Sequence, residues 1–140
     1  MEIRHALSSD LKAVMGVATT ALGPQRAGPM IRSHVERHHL LIANDGDELV
    51  GVVAYRTDWF QCTMVSLVCV TERYRRRGVA RALVKAVEQM SPSPRLYASA
   101  EETNAIAIRM LSALGFAPSG HIDNLPQGYR ELLFYKRLHP

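Results

Sequence analysis

The polar and apolar positions of this chain change period several times, and each change marks an element. Glu2 to Ala6 alternates as a first strand. Leu11, Val14, Met15, Ala18 and Leu22 then recur at helical spacing, behind Ser8 or Ser9, either of which suits a helix cap. The run G-P-Q-R-A-G-P, Gly23 to Pro29, predicts a loop, because glycine and proline both interrupt a helix. Met30, Ile31, His34, Val35 and His38 resume the helical period. His39 to Ala43 reads as a strand, N-D-G-D at Asn44 to Asp47 as a hairpin turn whose acidic tip is solvated rather than a site, and Leu49 to Arg56 as the return strand. A second turn over Thr57 to Gln61 leads to Cys62 to Val70, whose residues are apolar on both alternating faces. That is the pattern of a central strand covered on both sides.

In the second half, Val79, Leu83, Val87 and Met90 form one stripe, with Ala80 and Val84 beside it, so this helix docks on the sheet. S-P-S-P at Ser91 to Pro94 stops it, and Arg95 to Ala100 is a fifth strand. Such a strand-helix-strand unit predicts a right-handed parallel crossover. Glu101 to Thr103 turns the chain into a helix from Asn104 to Leu114, closed by Gly115. Ala117 to Asp123 and Tyr129 to Leu138 read as antiparallel strands joined by N-L-P-Q-G. The elements sum to a single α/β (α+β) domain over 1–140. Its seven-stranded sheet is mixed and mostly antiparallel, with a parallel crossover at the centre and about four helices.

Length and composition narrow this picture. At 140 residues the chain buries a core as one domain and is too short for two. Hydrophobic residues at 47% and charged residues at 21% are the balance of an ordinary globular domain. No apolar run approaches a membrane span, and Met1 to Leu7 has neither a basic leader nor a long apolar core, so the expected compartment is the cytoplasm. Cys62 and Cys69 lie on one strand seven residues apart, so they point to opposite faces and cannot bridge each other. His34 and His38 share a helix face, with His39 following. No cysteine or spaced acidic ligand accompanies them, which favours a structural or solvent-facing role over a metal site. The net charge of +4 is modest, and interleaved aromatics that would support nucleic-acid binding are lacking.

Chemistry concentrates between Val68 and Ala80, V-C-V-T-E-R-Y-R-R-R-G-V-A. Five arginines fall within Arg73 to Arg81, and Gly78 sits where a helix begins. A helix start presents unpaired N–H groups and the positive end of its dipole; with Arg75, Arg76 and Arg77 these form an anion cradle suited to a pyrophosphate. The glycine pattern fits neither the nucleoside-triphosphate loop nor the dinucleotide fingerprint. It does fit R-x-x-G-x-A, Arg75 through Ala80, which resembles the acetyl-coenzyme A (acetyl-CoA) motif of the GNAT N-acetyltransferases, with Val68, Val70 and Tyr74 in the preceding places. Downstream, N-A-I-A-I-R-M-L-S-A-L-G-F resembles that family's second signature, with Asn104, Ala107, Gly115 and Phe116 in register.

The resemblance implies direct acetyl transfer from acetyl-CoA to a small-molecule or peptide amine, without a metal, by a fold that splays its fourth and fifth strands around the pantetheine arm. It implies that the backbone of Val68 and Val70 pairs with the arm, that the Val68 N–H polarises the thioester carbonyl, and that Arg75, Arg76, Arg77, Gly78, Val79, Ala80 and Arg81 hold the phosphates. Asn104 would contact the cosubstrate, serve as a helix cap, or both. A homodimer is also implied, although no self-complementary patch is evident; Trp59 and Phe60 offer either a dimer contact or packing on a neighbouring element. Leu111 departs from the pattern: many relatives carry a tyrosine there as general acid. The acid is then absent, supplied by water, or supplied by Tyr129 or Tyr135, and Glu101 and Glu102 are the nearest carboxylates for a base. Two alternatives follow, a non-catalytic CoA-binding regulatory module and, from another class, a basic nucleic-acid-binding domain. The acceptor amine is left open.

Overall fold

The structure, a computed structural model, describes residues 1–22 and 24–138. Seven strands are β1 (Glu2–His5), β2 (Leu40–Asp45), β3 (Glu48–Trp59), β4 (Cys62–Val70), β5 (Arg95–Glu101), β6 (Ala117–Ile122) and β7 (Glu131–Arg137). The helices are α1 (Leu11–Leu22), α2 (Pro24–Glu36), α3 (Val79–Met90) and α4 (Ala105–Ala113). The strands form one sheet in the order β1-β2-β3-β4-β5-β7-β6, in which β4 and β5 are parallel and every other pair is antiparallel.

Strand alternation divides the core into two layers. Leu40 and Ile42 of β2, Val52 and Ala54 of β3 and Leu67 of β4 face Val14 and Ala18 of α1 and Ala27, Ile31 and Val35 of α2. The intervening Leu41, Ala43, Val53, Tyr55 and Val65 face the other way, onto Val79, Leu83, Val84 and Val87 of α3 and Leu111 and Leu114 of α4. Each fully buried Val or Leu contributes about 2 kcal/mol, so α3 is fixed chiefly by this stripe. Gly51 sets how closely it docks: a Cβ there would stand 2.9 Å from Val79 Cγ1 and 3.1 Å from Leu83 Cδ1.

Four local expectations differ from the structure. Pro24 to Pro29 is the opening of α2 rather than a loop, while Gly23 lies outside the described residues. Ala27, Ile31 and Val35 recur every four residues on its buried face and Pro29 lies on the exposed side, so packing overrides the proline's cost near the helix start. Neither serine caps α1; a short helical turn over Ser8–Asp10 precedes it, and Asp10 Oδ2 accepts the Leu7 N–H at 2.7 Å. β3 runs to Trp59, leaving a two-residue hairpin at Phe60 and Gln61, both left-handed at φ 51° and 65°. Trp59 packs on Tyr97 of β5 at 5.0 Å between ring centroids, and Phe60 is exposed. Met90 ends α3 on the solvent side, one turn beyond its buried stripe.

Candidate active site

The site begins with one extra residue. Ala54 pairs with Leu67 and Tyr55 with Val65, so Ser66 has no counterpart on β3 and β4 bulges there. A bulge bends its strand and increases the local twist. Pairing with β5 ends at that level: Thr63 to Val65 match Leu96 to Ala98, and beyond Val65–Ala98 the two strands part. The Thr71 N–H donates to Val50 O at 2.9 Å on the β3 side. By the alternation of strand groups, Cys69 and Leu67 also turn theirs toward β3, whereas Val68 and Val70 turn theirs into the opening. The splay is therefore a property of this chain.

The strand then runs through a tight helical turn, Glu72–Tyr74, into α3. Gly78 is the helix N-cap at φ 80°, a conformation that favours glycine, and a Cβ there would meet nothing within 4 Å. The glycine is thus required by its backbone rather than by a protein neighbour, and the space beside it is open to an anion approaching the first N–H groups of α3. Arg76 is also left-handed, at φ 63°. At the foot of the turn the Thr71 hydroxyl is buried without a partner among the described residues.

The arginines separate into two groups. Arg73 is ion-paired with Glu48. Arg75 Nε donates to Val70 O at 3.2 Å, folding back on the strand end, and Arg81 donates to Ala113 O at 3.2 Å, tying α3 to the end of α4. Arg77 lies over the Tyr74 ring at 5.1 Å, and Arg76 has no partner among the described residues. Arg76 and Arg77 consequently carry the uncompensated charge beside the helix start. Tyr74 donates its hydroxyl to Asp45 Oδ2 at 2.6 Å, and that bond holds its proton above the usual tyrosine range.

Asn104 caps α4: its Oδ1 accepts the Ala107 N–H at 3.1 Å. The helix ends in a Schellman motif, with Phe116 N–H on Leu111 O and Gly115 N–H on Ser112 O, both 3.1 Å, and Gly115 at φ 95°. Between these ends Leu111 is 1% exposed and belongs to the core. Position 111 faces the packing layer, and no proton donor projects from it. Tyr135 is paired with Tyr97, below the opening, and their rings lie 5.2 Å apart. Tyr129 instead belongs to the 123–130 loop, beside a cavity of about 530 Å³ lined by Glu102, Asp123, Asn124 and Arg130. Glu102 holds that loop to the end of β5, its N–H donating to Arg130 O at 3.0 Å and its carboxylate accepting the Arg130 N–H at 2.8 Å. The structure thus gives Glu102 a role in holding the loop.

His34, His38 and His39 do not converge as ligands. Met30 O accepts the Nδ1–H of His34 at 2.8 Å, burial pushes its pKa down, and His39 stacks on Tyr55 at 4.9 Å. No group of three or more ligand-type side chains assembles among the described residues. Cys69 is a buried thiol pushed up to about 12, unsuited to nucleophilic chemistry. Among the described residues no helix is long and apolar enough to cross a membrane. The bulge at Ser66 escaped sequence reasoning; its one signal is a small polar residue inside an otherwise apolar strand.

Similarity to known proteins agrees with this geometry. An acetyltransferase of the GNAT family from Bacillus cereus is 28% identical, covers 97% of this chain and 96% of its own, and superposes with a TM-score of 0.83. Ard1 from Thermoplasma volcanium has the same fold at 19% identity, with 99% and 98% coverage and a TM-score of 0.85. A Bacillus anthracis structure assigned as a streptothricin acetyltransferase, in complex with acetyl coenzyme A, shares the fold at 17% identity over 70% of this chain and 61% of that one, TM-score 0.64. No curated protein matches the chain. The family model described as Acetyltransferase (GNAT) family matches residues 11–116, from the first helix through the opening, the arginine turn and the Gly115–Phe116 step, and the chain belongs to that family.

Proposed function

We propose that the protein is an acetyl-CoA-dependent N-acetyltransferase that passes the acetyl group directly to an amine of a small molecule or peptide. One observation carries the reading: an opened strand edge, with the backbone of Val68 and Val70 turned into it, leads straight to a glycine-capped helix start flanked by Arg76 and Arg77. Gly78 leaves the space a pyrophosphate needs, so the residues fit the cosubstrate. Val68 and Val70 would pair with the pantetheine arm, and the N–H groups of Val79, Ala80 and Arg81 would hold phosphate oxygens. Arg75 and Arg81, each already on a protein carbonyl, keep further N–H groups for the same anion. Asn104, its oxygen engaged as a cap, has its amide N–H groups for the cosubstrate.

In the reaction a neutral amine attacks the thioester carbonyl. The N–C bond forms, the C–S bond breaks, and the proton lost by nitrogen passes to solvent while the thiolate is protonated by water. The Val68 N–H, fixed in the strand, stabilises the developing oxyanion without reorganising. A thiolate is a good leaving group, so the burial of Leu111 does not block this route. The two competing readings divide on measurement: a CoA-binding module would bind and not turn over, and a nucleic-acid-binding domain would show steep salt dependence and no preference for acetyl-CoA over unrelated anions.

Titration calorimetry of wild type, Gly78→Ala and Gly78→Glu with acetyl-CoA tests the cradle. The expected result is micromolar binding by wild type, weakening in the alanine variant from backbone strain, and loss by about 100-fold or more when a carboxylate faces the phosphates. Absence of binding by folded wild type would sink the reading. Thiol release in an amine screen then separates enzyme from binding module.

A further inference from the structure

The arginine turn is held from a distance by the β2–β3 hairpin. Asp45 ends β2 and Glu48 begins β3, on either side of the two-residue turn Gly46–Asp47. Asp45 takes the Tyr74 hydroxyl and Glu48 takes Arg73. Tyr74 in turn carries two guanidinium groups over its ring, Arg73 at 5.4 Å and Arg77 at 5.1 Å. A hydroxyl donated to a carboxylate pushes electron density into the ring, which strengthens its attraction for both cations. Arg73 is neutralised by Glu48, whereas Arg77 has no carboxylate of its own among the described residues.

We propose that Asp45, Tyr74 and Glu48 are positioning residues for the donor: they hold the Arg77 guanidinium, through the Tyr74 ring, beside the start of α3 where it meets the phosphates. An arginine side chain loses rotamer entropy when it binds an anion, and a ring that already orients it removes part of that cost. The N-D-G-D turn, which reads from sequence as a solvated tip, is then an outrigger of the phosphate site. The inference rests on the acetyl-CoA reading above and adds to it a role for Asp45 and Glu48, which lie outside both signatures.

Tyr74→Phe keeps the ring and deletes the bond to Asp45, and Asp45→Asn weakens the same bond from the other side. Calorimetry with CoA should show about a fivefold rise in Kd for either variant and a larger one for Tyr74→Leu. With acetyl-pantetheine, which lacks the phosphates and the nucleotide, kcat/KM should stay at the wild-type value in all three. Thermal melts without ligand establish that the variants fold. Equal losses with both donors would make Tyr74 a merely structural residue and overturn the proposal; so would unchanged CoA affinity in Tyr74→Phe and Asp45→Asn. A wild type that binds no CoA would instead overturn the acetyl-CoA reading itself, and this proposal with it.

Discussion

The two edges of β4 have opposite fates. Toward β3 the strand is paired from Cys62 to Val70, interrupted only by the irregularities at Ser66 and near the hairpin. Toward β5 it is paired over Thr63 to Val65 alone. One strand therefore belongs to the scaffold on one side and to the site on the other. Scaffold and site need not occupy separate elements, because strand alternation sends successive backbone groups to opposite edges. Rigidity on the β3 edge is what allows the N–H groups on the other edge to remain unpaired and still be held in place.

Proline substitution tests this division most strongly. Leu67→Pro removes an N–H from the β3 ladder and should cost about 3 kcal/mol or more, seen as a collapsed melting temperature. Val68→Pro removes an N–H that faces the opening, as on an edge strand, so the protein should melt much closer to wild type while kcat falls about 100-fold. If the two variants melt alike, the assignment of backbone groups to the two edges is wrong.

Gly51→Ala sharpens the same contrast from the next strand. Its new methyl group meets Val79 at the first turn of α3, so that turn must lift from the sheet or Val79 must change rotamer. Overpacking of this kind costs about 1–3 kcal/mol. The expected outcome is a lower melting temperature together with weaker CoA binding, because the displaced turn carries the N–H groups proposed to hold the phosphates. Reduced stability with unchanged CoA affinity would show that α3 tolerates the shift.

The smallest effect lies at the far edge of the sheet, in β1. Arg4 pairs with Asp10 at 2.8 Å and holds its carboxyl below the usual carboxylate range. A depressed carboxylate stabilises the folded state above its unfolded pKa of about 3.9, and that stability is lost as pH falls through the folded value. Asp10→Asn should melt slightly lower than wild type at pH 7 and converge on it under acid, below about pH 4. CoA affinity should not change; a change would mean that the far edge is not insulated from the site.

The legibility of these regions in sequence follows the range of the interactions that make them. The R-x-x-G-x-A turn and the Asn104-to-Phe116 segment were readable because a positive φ at Gly78, a cap at Asn104 and a Schellman ending at Gly115 are local requirements, met within a few residues. The opening of α2 was misread because local breakers lost to burial of Ala27, Ile31 and Val35. The hairpin tip was assigned to solvent because nothing near Asp45 announces Tyr74, 29 positions away.

The sequence alone therefore determined the family, the seven strands and four helices, and the glycine-capped helix start among the arginines, since each depends on short-range spacing and on the chemistry of single residues. Tertiary structure decided which arginines stay uncompensated, that position 111 faces the core, and that β4 leaves β5 at the level of Ser66. Those outcomes depend on which residue lies opposite which. Register and partner choice are set by contacts between segments far apart in the chain, and a periodic pattern of polar and apolar positions does not carry them.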